Sequence, residues 1–331
     1  MSEERAGDVT VMNEPRDEAV VGIRIPQPYR CAVSLTWDTD MAGGYAPPGA
    51  VCHGRTAPFL ADYMRRMMAT AEQFDARLHF FKIANGLEDD CDYSVYREML
   101  ERGHDVDCHT YNHVNLAHTD PTRLDMDLQL ANALLKAKLG VEPFVISSPG
   151  GYRRGALSRA SRLVILGNGF RYVSGQYNGA DYGDRVHDAA GDTAANPPYR
   201  FNDGLIELPM HGLTDRVYFD QLVCTDAEAY ARWRQQYGHQ PVSLDWRCPW
   251  TGPDALDRWI AYLKMCIDFC YEHRRLYTLC AHPYSHYLHD PDNTVLGELL
   301  HHMSSKAEPV WTGTLRDVIR QLLCDQSQGA S

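Results

Sequence analysis

The chain has 331 residues, enough for one large domain, and 44% of them are hydrophobic, so a sizeable buried core is expected. Its 32 Lys and Arg against 44 Asp and Glu give a formal net charge of −12, which argues against a nucleic-acid or anionic-membrane surface. No basic stretch followed by an apolar one opens the chain, and no run approaches the roughly 18 apolar residues that cross a bilayer, so a cytoplasmic protein without membrane attachment is expected.

The acidic, polar start reads as a flexible N-terminal arm over residues 1–25. Strand-like and helix-like segments then alternate. Strands are predicted at Arg30–Trp37, Leu78–Ile83, His104–Cys108, Phe144–Ser147, Arg171–Ser174, Leu205–Leu208 and Leu276–Ala281. Helical spacing of apolar residues predicts helices over Ala57–Gln73, Val95–Arg102, Thr122–Leu139, Leu157–Leu166 and Asp254–Arg274. Pro121 and Pro253 suit a first helical turn, and Gly140 suits a C-terminal cap. Strands separated by helices of this length pair in parallel. Seven of them favour a TIM-like α/β barrel over an open doubly wound sheet, as a single domain over residues 26–325. No GxGxxG or GxxxxGK[ST] follows the first strand, which weakens a nucleotide-binding reading. Gln176–Phe201 and Met210–Pro253 lack a period and are expected as functional loops. The ten cysteines form no CxxC pair and are expected as reduced, buried side chains, with Cys266 and Cys270 in a helix core.

In a barrel of parallel strands, the C-terminal strand ends share the face that carries active sites. The first predicted strand ends in Asp38-Thr-Asp40, the third runs into His109-Thr-Tyr-Asn-His113, the fourth into Ser147-Ser-Pro-Gly-Gly151, and the last into Ala281-His-Pro283. His109 and His113, four apart, are expected on one face of a helical turn, where two imidazoles can share a metal ion. Asp38 and Asp40 lean to the same side of an extended chain. One carboxylate with two histidines is a ligand set for a catalytic divalent ion that leaves positions open for water and substrate. It suits Zn2+ first, and also Co2+, Ni2+ or Fe2+. The other carboxylate then lies near the water, and His282 can stand opposite as an acid. That is the equipment of metal-assisted hydrolysis.

Thr36-Trp-Asp-Thr-Asp40, His109-Thr-Tyr-Asn-His113, Ser148-Pro-Gly-Gly151 and Leu279-Cys-Ala-His-Pro283 resemble, in order, motifs of the polysaccharide deacetylases that share the NodB homology domain, carbohydrate esterase family 4. The resemblance implies Asp38 as general base, Asp40, His109 and His113 as metal ligands, His282 as general acid, and a distorted seven-stranded barrel. Two departures stand out. Thr39 separates acids that are adjacent in the usual first motif, a spacing similar to the branch holding intracellular deacetylase-like and allantoinase or cyclic-imide-hydrolysing members. Val310-Trp-Thr-Gly-Thr314 resembles that branch too. The third motif normally begins with an arginine that pairs with the base, and here that position is Ser147, with Arg153 and Arg154 as candidate substitutes.

The expected activity is hydrolysis of a C–N amide bond, with an N-acetylated amino sugar or sugar-containing metabolite, small or oligosaccharide, as substrate. A backbone N–H near Tyr152 is expected to support the oxyanion. Tyr152, Arg153, Trp246 and His286 are candidate substrate contacts, as are Asp181, Asp184 and Trp250. The alternatives are a cyclic imide or ureide amidohydrolase and a catalytically degenerate binding protein of the same fold. A metal–diphosphate site of the nucleotide-sugar transferase kind leaves His109 and His113 without a role. A homo-oligomer is compatible with the sequence.

Overall fold

The computed structural model describes residues 18–40, 54–88, 93–177, 197–219 and 254–324. Seven strands form its centre: β1 (Cys31–Asp38), β2 (His79–Lys82), β3 (Asp105–Cys108), β4 (Val145–Tyr152), β5 (Tyr172–Gln176), β6 (Ile206–Glu207) and β7 (Leu276–Ala281). Each lies where the sequence predicts a strand. Neighbours from β1 to β6 pair in parallel, and β7 pairs in parallel with β1. The remaining gap is closed by the chain after β6, where Met210 N–H donates to Gln176 O on β5 (3.1 Å) and His211 N–H to Thr278 O on β7 (3.0 Å). The sheet thereby curls into the expected seven-stranded barrel.

Around it run α1 (Pro58–Glu72), α2 (Ser94–Glu101), α3 (Pro121–Leu139), α4 (Arg159–Gly167), α5 (Ala255–His273), α6 (Pro283–His289) and α7 (Thr294–Ser304). β1 shows why both layers form. All eight of its residues are buried, as a parallel strand requires. Cys31, Val33, Leu35 and Trp37 pack with Leu60, Met64 and Met67 of α1 and Trp259 and Leu263 of α5. Ala32, one step out of phase, instead joins Phe81, Val145, Tyr172, Ile206 and Leu276 from other strands, inside the barrel. Trp311, Leu315, Val318, Ile319 and Leu322 extend that inner cluster and plug the N-terminal mouth. α3 starts as predicted, with Pro121 in its first turn and the Asp120 carboxylate accepting from Thr122 and Arg123 N–H, and it stops at Gly140 with φ 70°.

The expected N-terminal arm needs correction in its described part. Glu18–Val20 pairs antiparallel with Tyr199–Phe201, and Gly22–Ile23 with Leu323–Cys324, so ladder hydrogen bonds and the burial of Val21 hold residues 18–23 on the barrel. Residues 1–17 lie outside the described residues, as do Pro253 and most of the two predicted long loops. Cys31, Cys108, Cys266, Cys270 and Cys280 are free and buried. Among the described residues no helix is long and apolar enough to cross a membrane.

Candidate active site

The C-terminal ends of β1, β3, β4 and β7 meet at one mouth of the barrel, and they bring Asp38, Asp40, His109, His113, Ser147 and His282 together. Asp40 is the hub. Its Oδ1 lies 3.3 Å from His109 Nε2, and its Oδ2 lies 3.1 Å from His113 Nε2 and 3.7 Å from His282 Nε2. One ligand atom each from Asp40, His109 and His113 falls within 4.8 Å of the others.

The two histidines reach Asp40 by a route that differs from the expected helical turn. The segment after β3 is irregular, with Thr110 at φ 62° and His113 at φ 57°, and this left-handed backbone folds His113 back beside His109. The turn is held from below by Asp127, a buried residue of α3 whose carboxylate accepts from Tyr111 N–H (2.6 Å) and Asn112 N–H (3.0 Å). Nothing in the sequence marked Asp127, because an acid inside an amphipathic helix reads as surface.

His109 Nδ1 lies 3.2 Å from the Ser147 carbonyl. A carbonyl only accepts, so Nδ1 carries the proton and a neutral His109 turns the lone pair of Nε2 toward the Asp40 carboxylate. Two acceptors facing each other repel. A proton on each imidazole relieves the conflict piecemeal, whereas one divalent cation satisfies all three donors, and the backbone partner on Nδ1 is the outer contact that a ligating histidine uses. The residues present therefore fit a divalent metal. Burial opposes the charge on Asp40, but His113, His282 and the hydrogen bonds of His109 and His113 hold its carboxyl well below the usual range.

His282 is anchored by a residue that sequence reading missed. Its Nδ1–H donates to Asp215 Oδ1 (2.7 Å) and its backbone N–H to Asp215 Oδ2 (2.9 Å). Asp215 is wholly buried and follows Thr214, whose hydroxyl accepts from Val217 N–H and caps a single helical turn. The signal was faint: a Thr-Asp pair, 67 positions from its partner. Burial pulls the His282 imidazole down, but Asp215 and Asp40 outweigh it and push it up to about 9, so His282 holds a proton at neutral pH. His286 is buried behind Asp215, with Nε2 3.8 Å from Asp215 Oδ2 and its ring edge-on to Trp37. Burial lowers it to about 4. It stands apart from the Asp40–His109–His113 group.

The remaining candidates separate. Tyr152 is buried, and its hydroxyl donates to Glu207 Oε2 (2.6 Å). Arg153 is exposed. Arg154 Nε donates to Glu18 (2.6 Å), and it is the Ser147 hydroxyl itself that reaches Asp38. Gly150 and Gly151, with φ 68° and 61°, turn the chain after Ser148, and a Cβ at Gly151 would fall 2.8 Å from that of Tyr177. Trp246, Trp250, Asp181 and Asp184 lie outside the described residues.

Comparison with known proteins agrees with this geometry. Residues 30–173 match the family model of polysaccharide deacetylases. No curated protein sequence matches the chain. Among solved structures, a Mycobacterium smegmatis protein assigned to the polysaccharide deacetylases superposes with a TM-score of 0.60 at 17% identity, over 94% of this chain and 95% of that one. The allantoinase Puue gives 0.57 at 17% identity, over 97% of each chain. The chitin deacetylase of Colletotrichum lindemuthianum gives 0.51 at 12% identity, over 88% of this chain and 90% of that one. The family match spans the strand ends bearing Asp38, Asp40, His109, His113 and Ser147, and the structural matches extend the likeness to the whole barrel. Residues 30–173 thus resemble the polysaccharide deacetylase family, and the chain has the fold shared by polysaccharide deacetylases and an allantoinase.

Proposed function

We propose that this chain is a metal-dependent hydrolase of a non-peptide C–N amide bond. The observation that supports it best is the meeting, at one barrel mouth, of the Asp40–His109–His113 group with the His282–Asp215 pair and a further carboxylate, Asp38. Asp40, His109 and His113 would hold the ion, with zinc the first candidate and Co2+, Ni2+ or Fe2+ accepted by the same donors. A divalent ion held there would polarise the substrate carbonyl and make water a better nucleophile at neutral pH. Asp38 takes the proton that the water loses as its oxygen bonds the carbonyl carbon. Imidazolium His282, kept oriented and charged by Asp215, gives its proton to the nitrogen as the C–N bond breaks. The products are a carboxylic acid and an amine.

An N-acetylated amino sugar or sugar-containing metabolite is the leading substrate, in keeping with the matched family. A cyclic imide or ureide is the second reading, favoured by the Asp38-Thr-Asp40 spacing and the superposition on an allantoinase. The test is elemental analysis of the zinc-incubated, desalted protein, followed by assays for acetate release from chitooligosaccharides and for ring opening of allantoin and succinimide. About one tightly held divalent ion per chain and turnover of one class are expected. Absence of metal uptake, or hydrolysis unaffected by Asp40→Ala and His109→Ala, would overturn the proposal and leave a binding protein of this fold.

A further inference from the structure

A general base works best when its carboxylate is held in a fixed plane, because the proton must arrive at a fixed position. Asp38 is built this way. Its Oδ2 is met by Ser147 Oγ at 3.3 Å and by Cys280 Sγ at 3.4 Å, and lies 3.7 Å from His109 Nε2. Since an ionised carboxylate only accepts, the hydroxyl and the thiol donate. The donors come from β7, which pairs with β1, and from β4, across the barrel, and both are buried. Asp38 Oδ1 is buried too and has no hydrogen-bond partner among the described residues.

We propose that Ser147 and Cys280 are positioning residues for Asp38: both donate to Oδ2 and fix the plane of the carboxylate that takes the proton from water. The idea rests on the hydrolytic reading above. No bond of either positioning residue breaks. The Asp38 carboxylate gains the proton that water loses when its oxygen bonds the carbonyl carbon. An arginine at position 147 would set a permanent positive charge against the base, whereas a hydroxyl and a thiol orient it without adding charge. The pair thus explains how Asp38 stays ordered although Ser147 stands where the related motif has an arginine.

The experiment compares Ser147→Ala, Cys280→Ala, the double variant and Cys280→Ser with the wild type, all zinc-loaded, on whichever of the chitooligosaccharide, allantoin or succinimide is turned over. The Ser147 substitution leaves intact the backbone carbonyl that holds His109. Loss of the hydroxyl should lower kcat about tenfold and loss of the weaker thiol donor about threefold, with KM and zinc content unchanged. The double variant should lose roughly 30–100-fold, and Cys280→Ser should recover most of the single loss. A second readout needs no activity: the S–H stretch of Cys280, identified by its loss in Cys280→Ala, should shift when Asp38→Asn weakens the acceptor. Wild-type kcat in the double variant, or a Cys280 S–H band indifferent to Asp38→Asn, overturns the positioning role. If Asp38→Asn itself leaves kcat unchanged, it is the hydrolytic reading that fails.

Discussion

Both mouths of the barrel bury histidine beside aspartate, yet the two sites balance charge in opposite ways. At the N-terminal mouth His79 Nε2 lies 3.2 Å from Asp107 Oδ2, and His79 Nδ1 accepts from Leu315 N–H. Arg316 then closes on Asp107 with two bonds of 2.6 Å. The carboxylate has a fixed cation, and the imidazole lies between it and a backbone N–H. At the C-terminal mouth three buried carboxylates, Asp38, Asp40 and Asp215, meet imidazoles and neutral donors. Among the described residues no lysine or arginine forms an ion pair with any of them. Burying negative charge without a fixed counter-charge is costly. Among the described residues the upper mouth has no such guanidinium, which is in keeping with the divalent ion proposed for Asp40, His109 and His113.

This contrast can be broken by substitution. The largest effect is expected for His109→Ala, which should abolish zinc retention and lower hydrolysis by more than about a thousandfold. Asp40→Asn should do the same to activity. Asp215→Asn should come next. With His282 no longer held as a proton donor, kcat should fall about a hundredfold while zinc content and KM stay close to wild type. A change confined to KM would count against His282 as the acid.

The barrel was legible because its signals are periodic and local. Each strand is a short apolar run between helices of matching length, and Pro121 and Gly140 mark helix ends whatever lies around them. The candidate site residues were legible for a related reason: Asp38, Asp40, His109, His113 and His282 all sit at strand ends, where one rule about barrels gathers them. Contacts that depend on tertiary approach were not readable. Asp215 reaches His282 only because the chain after β6 bridges β5 and β7, and Asp127 supports the histidine turn only because α3 crosses beneath it. The spacing of His109 and His113 suggested a helical turn, since period four carries no information about positive φ. Residues 18–23 looked like a loose arm because edge strands of two or three residues carry too few side chains to show an alternation.

At the lower mouth the prediction changes sign. Arg316→Met removes the counter-charge of a carboxylate that is 1% exposed, and it should cost about 3 kcal/mol in urea unfolding while the folded protein keeps the wild-type kcat. Equal damage to stability and kcat would show that the two mouths are coupled and not independent.

A smaller effect tests a third way of housing a buried acid. Glu207 lies outside the ring of barrel-lining side chains, fully buried, and its carboxylate meets only neutral donors: Gly175 and Gln176 N–H, each at 2.8 Å, and the Tyr152 hydroxyl. Burial outweighs these hydrogen bonds and pushes its carboxyl up to about 7. The folded state therefore binds this proton more tightly than the unfolded chain, whose value is near 4.5. The stability that the protonated form contributes is fully present below about pH 4.5 and is lost as the pH rises to about 7. Glu207→Gln keeps the shape and the hydrogen-bonding capacity but has no proton to lose. Between about pH 4.5 and pH 7 the wild type should lose on the order of 2 kcal/mol relative to this variant, read from urea midpoints at each pH. Parallel curves would mean that three neutral donors stabilise the buried carboxylate as well as water does, and the argument that the upper mouth calls for a cation would then rest on its three crowded acids and not on burial alone.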